Sequence, residues 1–175
     1  MWYFICRGGG GGLGCKSVVQ NHIMPGAWAG LGNASLAGTP LVLPVDHVVT
    51  CELGSDAPSR VISIGETRPE WMGVDIGPET RSRFRKILST AGTVLWNGPV
   101  GVFEIDRFAG GTLSLAQAAA ASPATTIVGG GDSIAAVRRA GVADRITHIS
   151  TGGGASLEFL SGRKLPGVES LSDRA

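Results

Sequence analysis

The sequence predicts an α/β fold, a parallel sheet covered by helices in three layers, α/β/α. Three observations predict it. Short β-branched or apolar runs, Thr93-Val94-Leu95-Trp96 and Thr125-Thr126-Ile127-Val128 among them, alternate with segments of helical spacing. These runs are apolar throughout, the pattern of strands buried on both faces with helical crossovers. The runs ending at Trp96, Val128 and Ser150 each lead into a glycine-rich loop. Glycine is 28 of 175 residues, about twice the usual ~7%.

The chain divides into an atypical segment, residues 1–40, and a regular domain, residues 41–175. The first has no Asp or Glu; its charges are Arg7 and Lys16. Gly8 to Gly12 are consecutive glycines, and Pro25-Gly26 interrupts any helix. Poor order is expected there. Gly9-x-Gly11-x-x-Gly14 fits a dinucleotide fingerprint, but a pentaglycine run satisfies that pattern by chance. The acid required ~20 residues later is missing, which argues against a dinucleotide-dependent oxidoreductase. Gly14-Cys15-Lys16-Ser17 resembles a P-loop with Cys15 splitting the required Gly-Lys pair.

From Leu41 the elements follow in order. Leu41–Asp46 reads as a short strand stopped by Pro44, and His47–Thr50 and Arg60–Ile64 as two more, with a loop over Gly54–Ser59. His47 reads as a tolerated strand residue. Trp71–Ile76 is a strand entering a helix at Pro78, which suits the first helical position, with Glu79 favouring the dipole. Phe84, Ile87 and Leu88 repeat at helical spacing. Arg81, Arg83, Arg85 and Lys86 line mostly other faces, as a solvated surface. After the Thr93–Trp96 strand, Asn97-Gly98-Pro99-Val100-Gly101-Val102-Phe103-Glu104 is a loop. Helices are expected over Phe108–Ala121, Asp132–Ala140 and Gly154–Leu160, the last with Gly162 as its C′ residue. Strands are expected over Thr125–Val128 and Ile146–Ser150. Leu165–Leu171 reads as an extended tail.

Composition excludes several function classes. A net charge of +1 gives no field for nucleic acid or an acidic membrane. No apolar run reaches the ~18 residues of a membrane span. Cys6, Cys15 and Cys51 have neither framework nor zinc spacing, so a reducing, cytoplasmic compartment is expected.

Gly129-Gly130-Gly131-Asp132-Ser133 joins a strand to a helix. Three residues without side chains let a ligand lie against backbone N–H groups, and the helix start aims its positive dipole end there. Such a turn suits phosphate, and Asp132 adds a carboxylate able to hold Mg²⁺ beside it. A plain turn with Asp132 as N-cap is the alternative. Thr151-Gly152-Gly153-Gly154-Ala155-Ser156 follows the next strand and favours the ligand reading. In open α/β sheets ligands sit outside the carboxyl ends of the strands. The loops after Trp96, Val128 and Ser150 are therefore expected to form one cleft. It has backbone donors, a metal carboxylate and no Ser/His pair or reactive-cysteine signature. Phosphoryl transfer suits it better than acyl chemistry, with Glu104 placed for ribose hydroxyls.

Trp71 to Pro78, Leu95 to Glu104, Ile127 to Ser133, and His148 to Leu157 with Leu165-Pro166-Gly167-Val168 resemble the C-terminal, nucleotide-binding domain of phosphoglycerate kinases. The resemblance runs from about Leu41 to Leu171. It implies a Rossmann-like domain of an enzyme that transfers phosphoryl between 1,3-bisphosphoglycerate and Mg-ADP, giving 3-phosphoglycerate and ATP in glycolysis. It implies Mg²⁺ and ATP/ADP as cofactors. Asn97, Pro99 and Val102 would line the nucleotide pocket and Glu104 would bind ribose. Gly130, Gly131, Asp132 and Ser133 would hold phosphates and metal, Asp132 as the Mg²⁺ ligand. Gly152, Gly153 and Gly154 would meet the transferring phosphate.

Departures from the family limit this. Its N-terminal domain is absent, and with it the acid-sugar phosphate site and the catalytic arginine. Its Gly-Ala-Lys-Val motif is absent too, and pentaglycine stands where Gly-Gly-Met is expected. A reading-frame error or a misjoined fragment before Leu41 would account for this. The expectation is a monomeric kinase half that binds nucleotide, meets 3-phosphoglycerate only through the absent domain, and turns over little alone. The alternative is an incompletely folded fragment that binds no nucleotide.

Overall fold

The computed structural model describes Gly38, Pro40, residues 42–66 and residues 68–171. The pentaglycine run, the two glycine patterns beside it and, apart from Gly38 and Pro40, the residues 1–40 for which poor order is expected lie outside the described residues. The chain forms two compact units. One runs up to Arg83 and includes Val100–Thr112; the other comprises Phe84–Pro99 and the chain from Leu113.

The first unit carries an antiparallel sheet of β1 (Asp46–Thr50), β2 (Ser59–Ser63) and β3 (Met72–Ile76), in the order β2-β1-β3. Among the described residues of this unit the strand pairings are antiparallel, not the parallel pairing expected. The expected strand over Leu41–Asp46 is also corrected. Val42–Val45 is irregular, and pairing starts at Asp46. Pro44 has no N–H for a ladder, and Val45 gives its N–H to Thr80 Oγ1 at 3.0 Å. Two small cores hold the unit together, Val49 with Ile62 and Trp71, and Ala57 with Val74 and Phe108. The Arg60 and Arg68 guanidiniums lie 4.8 and 5.1 Å from the Trp71 ring centroid, covering an indole that would otherwise meet water.

Helix α1 (Pro78–Leu88) starts at Pro78 as expected. Its N-terminal donors are satisfied from far along the chain. Asp46 accepts the N–H groups of Glu79 at 3.0 Å and Thr80 at 2.8 Å. Burial alone would raise the Asp46 pKa. The hydrogen bonds from the Thr80 hydroxyl, Thr80 N–H and Glu79 N–H outweigh it and hold the carboxyl below its ordinary value. Burial likewise lowers the pKa of His47, on the buried sheet beside it. Arg83, Arg85 and Lys86 are exposed, as expected, but so is Ile87, and Arg81 turns inward onto Asp75 at 2.8 Å.

The second unit holds the parallel sheet, β4 (Thr93–Asn97), β5 (Thr125–Gly129) and β6 (His148–Ser150), in the order β4-β5-β6. Its core joins Val128 to Ala116, Ala119 and Ala120 of helix α2 (Gly110–Ala121) and to Ile134 and Val137 of helix α3 (Gly131–Arg139). The predicted α/β fold is therefore present here. Not every strand is buried on both faces: in β4, an edge strand of this sheet, Val94 is buried and Leu95 is 40% exposed.

Several elements differ from expectation. The helix expected from Phe108 is split: Asp106–Phe108 is a 3₁₀ turn, and α2 begins at Gly110. β6 starts at His148, not Ile146. The preceding Ala143–Arg145 is a 3₁₀ turn, to which Ile146 N–H bonds back at 3.2 Å, and Thr147 pairs with Thr126 through both hydroxyls and both amides. Helix α4 (Gly153–Leu160) ends in a Schellman motif. Gly162, at φ +79°, donates to Phe159 O and Arg163 to Glu158 O, so Gly162 is the expected C′ residue. The tail is not extended: Pro166–Glu169 forms a helical turn, α5, with Pro166 supplying the preset φ and losing no needed N–H.

Candidate functional site

In the parallel sheet the chain positions that end the strands are register partners. Asn97 lies opposite Gly129, and Gly129 opposite Ser150. All three loops thus leave the carboxyl end of one sheet side by side. That follows from parallel pairing, which the apolar runs and helical crossovers predicted.

The loops are joined by direct contacts. Asn97 Nδ2 donates to Gly153 O at 3.3 Å, and Gly98 N–H donates to Ser133 Oγ at 2.6 Å. Trp96 Nε1 donates to Gly98 O at 2.7 Å, turning the indole back over its own loop. Gly153 lies on the backbone of the first glycine triplet: a Cβ there would overlap Gly130 N and stand 2.7 Å from Gly130 Cα. Gly130 has φ +89°, a conformation that favours glycine. Gly153 therefore lacks a side chain so that its backbone can lie against Gly129 and Gly130, whereas a Cβ at Gly131 or Gly154 would meet open space.

Both helices that begin here have free ends. Gly130 caps α3 and Gly152 caps α4, and neither has a side-chain cap. Their first-turn N–H groups and dipoles are directed to the same end of the sheet as the loops. Asp132 is not the N-cap. It is the second residue of α3, exposed, which removes the capping explanation for its carboxylate. Ser133 differs from expectation in another way. It is fully buried, and its hydroxyl oxygen accepts Gly98 N–H, so it fixes the neighbouring loop.

The second unit thus brings together Asn97, Gly130, Gly131, Asp132, Ser133, Gly152, Gly153 and Gly154, with Pro99 half-buried just after Gly98. Val102, half-buried, and Glu104, exposed, belong to the first unit. Sequence reasoning missed two buried acids of that unit, Asp46 and Asp75. Each sits in an apolar strand, the one signal that marked them, since a lone acid there requires partners.

Among the described residues no group of three or more His, Cys, Asp or Glu is placed to hold a metal ion. A single exposed carboxylate at a phosphate-type loop fits Mg²⁺, which keeps waters and takes the rest of its shell from substrate phosphates. It does not fit a metal held by protein alone. Among the described residues no helix is long and apolar enough to cross a membrane.

A family model described as phosphoglycerate kinase matches residues 2–163. The phosphoglycerate kinase of Chlorobium chlorochromatii (strain CaD3) is 54% identical over 161 residues, which cover 90% of this chain and 41% of that protein. That of Roseiflexus sp. (strain RS-1) is 52% identical over 157 residues, 90% of this chain and 40% of that one. The structure of phosphoglycerate kinase from Coxiella burnetii superposes with a TM-score of 0.83 at 42% identity, covering 89% of this chain and 40% of that chain. The chain spans about two fifths of the length of the relatives it matches. The family match also reaches back to residue 2 and ends at 163, whereas the motifs alone placed it from about Leu41 to Leu171.

Proposed function

Because the chain belongs to the phosphoglycerate kinase family, we propose that it supplies the nucleotide-binding half of that kinase, holding Mg-ADP or Mg-ATP. The observation that carries this is the convergence of three glycine-rich loops at the carboxyl end of the parallel sheet, tied by Asn97 to Gly153 and by Gly98 to Ser133. Backbone N–H groups at the starts of α3 and α4 hold the phosphate oxygens in place. Asp132 would hold the metal that accompanies them through its carboxylate. Mg²⁺, when bound, neutralises charge on the phosphates as the phosphoryl group moves. Gly152 to Gly154 meet the transferring phosphate. Asn97, Pro99 and Val102 line the nucleotide and Glu104 takes the ribose; these roles rest on family resemblance. Phosphoryl transfer between 1,3-bisphosphoglycerate and Mg-ADP is the activity of the whole enzyme to which this half contributes. Little turnover is expected from this chain alone.

Titration of Mg-ADP into the chain and into Asp132→Ala tests the reading. Saturable binding is expected, weaker by about tenfold or more in the variant, the loss of one charge-assisted ligand. Equal affinities would remove Asp132 from the metal role. Absence of binding to either would favour the second reading, an incompletely folded module. The exposed Leu157, Phe159, Leu160, Val168 and Leu171 at the end of the described chain favour that reading, since they leave apolar surface in water.

A further inference from the structure

We infer that Asp75 and Thr112 are positioning residues that fix the Val100–Glu104 loop, and with it Val102 and Glu104, for nucleotide binding. The inference rests on the proposed role of those two residues as nucleotide contacts. All the groups concerned belong to the first unit.

The loop is held by three consecutive amides. Val100 and Gly101 both donate to Thr112 Oγ1, at 3.2 and 3.1 Å, and Val102 donates to Val74 O at 2.7 Å. Thr112 is fully buried at the start of α2. Its place is set by Asp75, the next residue after Val74. Asp75 Oδ2 accepts Gly111 N–H at 2.6 Å and Arg81 Nη2 at 2.8 Å, while Oδ1 accepts Ile76 N–H at 2.8 Å. The carboxylate also touches the loop itself. A Cβ at Gly101 or at Gly111 would overlap it, so both glycines are required for the backbone to pass this close. One fully buried carboxylate therefore sets the distance between the end of β3, the first turn of α2 and the loop.

Burying a carboxylate here has a cost that plain packing would avoid. Burial pushes Asp75 up to about 6, against the Gly111 N–H and Arg81, which pull it down. The charged side chain facing it is Arg81, from α1. The loop presents the Gly101 backbone, α2 the Gly111 amide, and β1 the apolar Val48 opposite it in register. An opening that exposes Asp75 to water returns it toward 3.8. The closed loop thus binds the proton more tightly than the open one, and a rise in pH from about 4 to 6 favours opening.

Amide hydrogen exchange at Val100, Gly101 and Val102, with Thr126 and Val128 of β5 as reference, tests this without ligand. In Asp75→Asn the loop amides are expected to lose about tenfold or more in protection, one hydrogen bond's worth, while the reference amides hold. Wild-type loop protection is expected to fall with rising pH between about 4 and 6, by up to ~100-fold, and Asp75→Asn to lack that slope. Should Asp75→Asn not fold, Thr112→Val removes the shared acceptor without disturbing the charge and should give the same loop-specific loss. Mg-ADP affinity should fall in whichever variant loosens the loop. Unchanged loop protection, a loss shared equally with β5, or a pH slope kept in Asp75→Asn would overturn the inference. If the wild-type chain binds no Mg-ADP, the nucleotide reading fails, and exchange alone still decides whether Asp75 and Thr112 anchor the loop.

Discussion

Gly153→Ala is expected to abolish saturable Mg-ADP binding and to lower the melting temperature, whereas Gly154→Ala one residue on leaves the melting temperature undiminished. The two glycines are equivalent in sequence and opposite in structure. A Cβ at Gly153 would overlap Gly130 N and approach Gly130 Cα at 2.7 Å and Gly129 C at 3.2 Å. These are backbone atoms of the other glycine triplet, and no side chain can swing aside. One of the two loops must move. Overpacking of this kind costs about 1–3 kcal/mol, and each kcal/mol lowers the melting temperature of a chain this size by about 2–4 °C. The larger consequence is for binding, because the triplets define one surface and a shift of ~1 Å misaligns the donors of both helix starts. At Gly154 an added Cβ meets nothing within 4 Å. There, alanine is expected to stabilise α4 by up to ~1 kcal/mol. Melting curves and Mg-ADP titrations of both variants check this. Indistinguishable behaviour would mean that the triplets do not depend on each other.

Asp46→Ala is expected to destabilise the first unit by about 2–4 kcal/mol, read as a lower denaturant midpoint at unchanged m. Asp46 is 6% exposed and holds the start of α1 through Glu79 N–H, Thr80 N–H and the Thr80 hydroxyl. Removing it leaves buried donors without acceptors, the expensive direction of a hydrogen-bond deletion. The pH dependence has a definite sign. The folded carboxyl lies below 3.8, so its contribution is full above that pH and is lost as pH falls through the folded value. Asp46→Asn should therefore lack an acid-side loss of stability that the wild type shows. A change under ~0.5 kcal/mol in Asp46→Ala would show that water or the Gly77 turn satisfies α1 instead.

What could be read from the sequence was local, and what could not was remote. The Val94, Thr126–Val128 and Ile149 strands, their glycine turns and the α1 start at Pro78 follow from periodicity, turn chemistry and capping within a few residues. So does Gly162 as a helix stop. Pairing direction in the first unit was not legible. Short apolar strands such as Asp46–Thr50 suit either sheet type, and only the long-range register decides. Helix α1 was legible, but not its cap, because the capping acid lies 33 residues away from Glu79. The site shows the same division. Gly129 to Asp132 and Gly152 to Gly154 were visible as a loop type, and Asn97 by resemblance. That Ser133 is buried to hold Gly98, and that Gly153 is small because Gly130 lies against it, depends on contacts between loops that no spacing reports.

The three loops at the end of the parallel sheet are proposed to form one nucleotide-binding surface. Mg-ADP titrated into isotope-labelled chain, followed by amide NMR, tests it most directly. Asn97–Gly98, Gly129–Ser133 and Gly152–Gly154 are expected to shift together, along one saturation curve, with β1 and β2 unaffected. Shifts confined to other parts of the chain, loops that respond at different concentrations, or no response at all would contradict it.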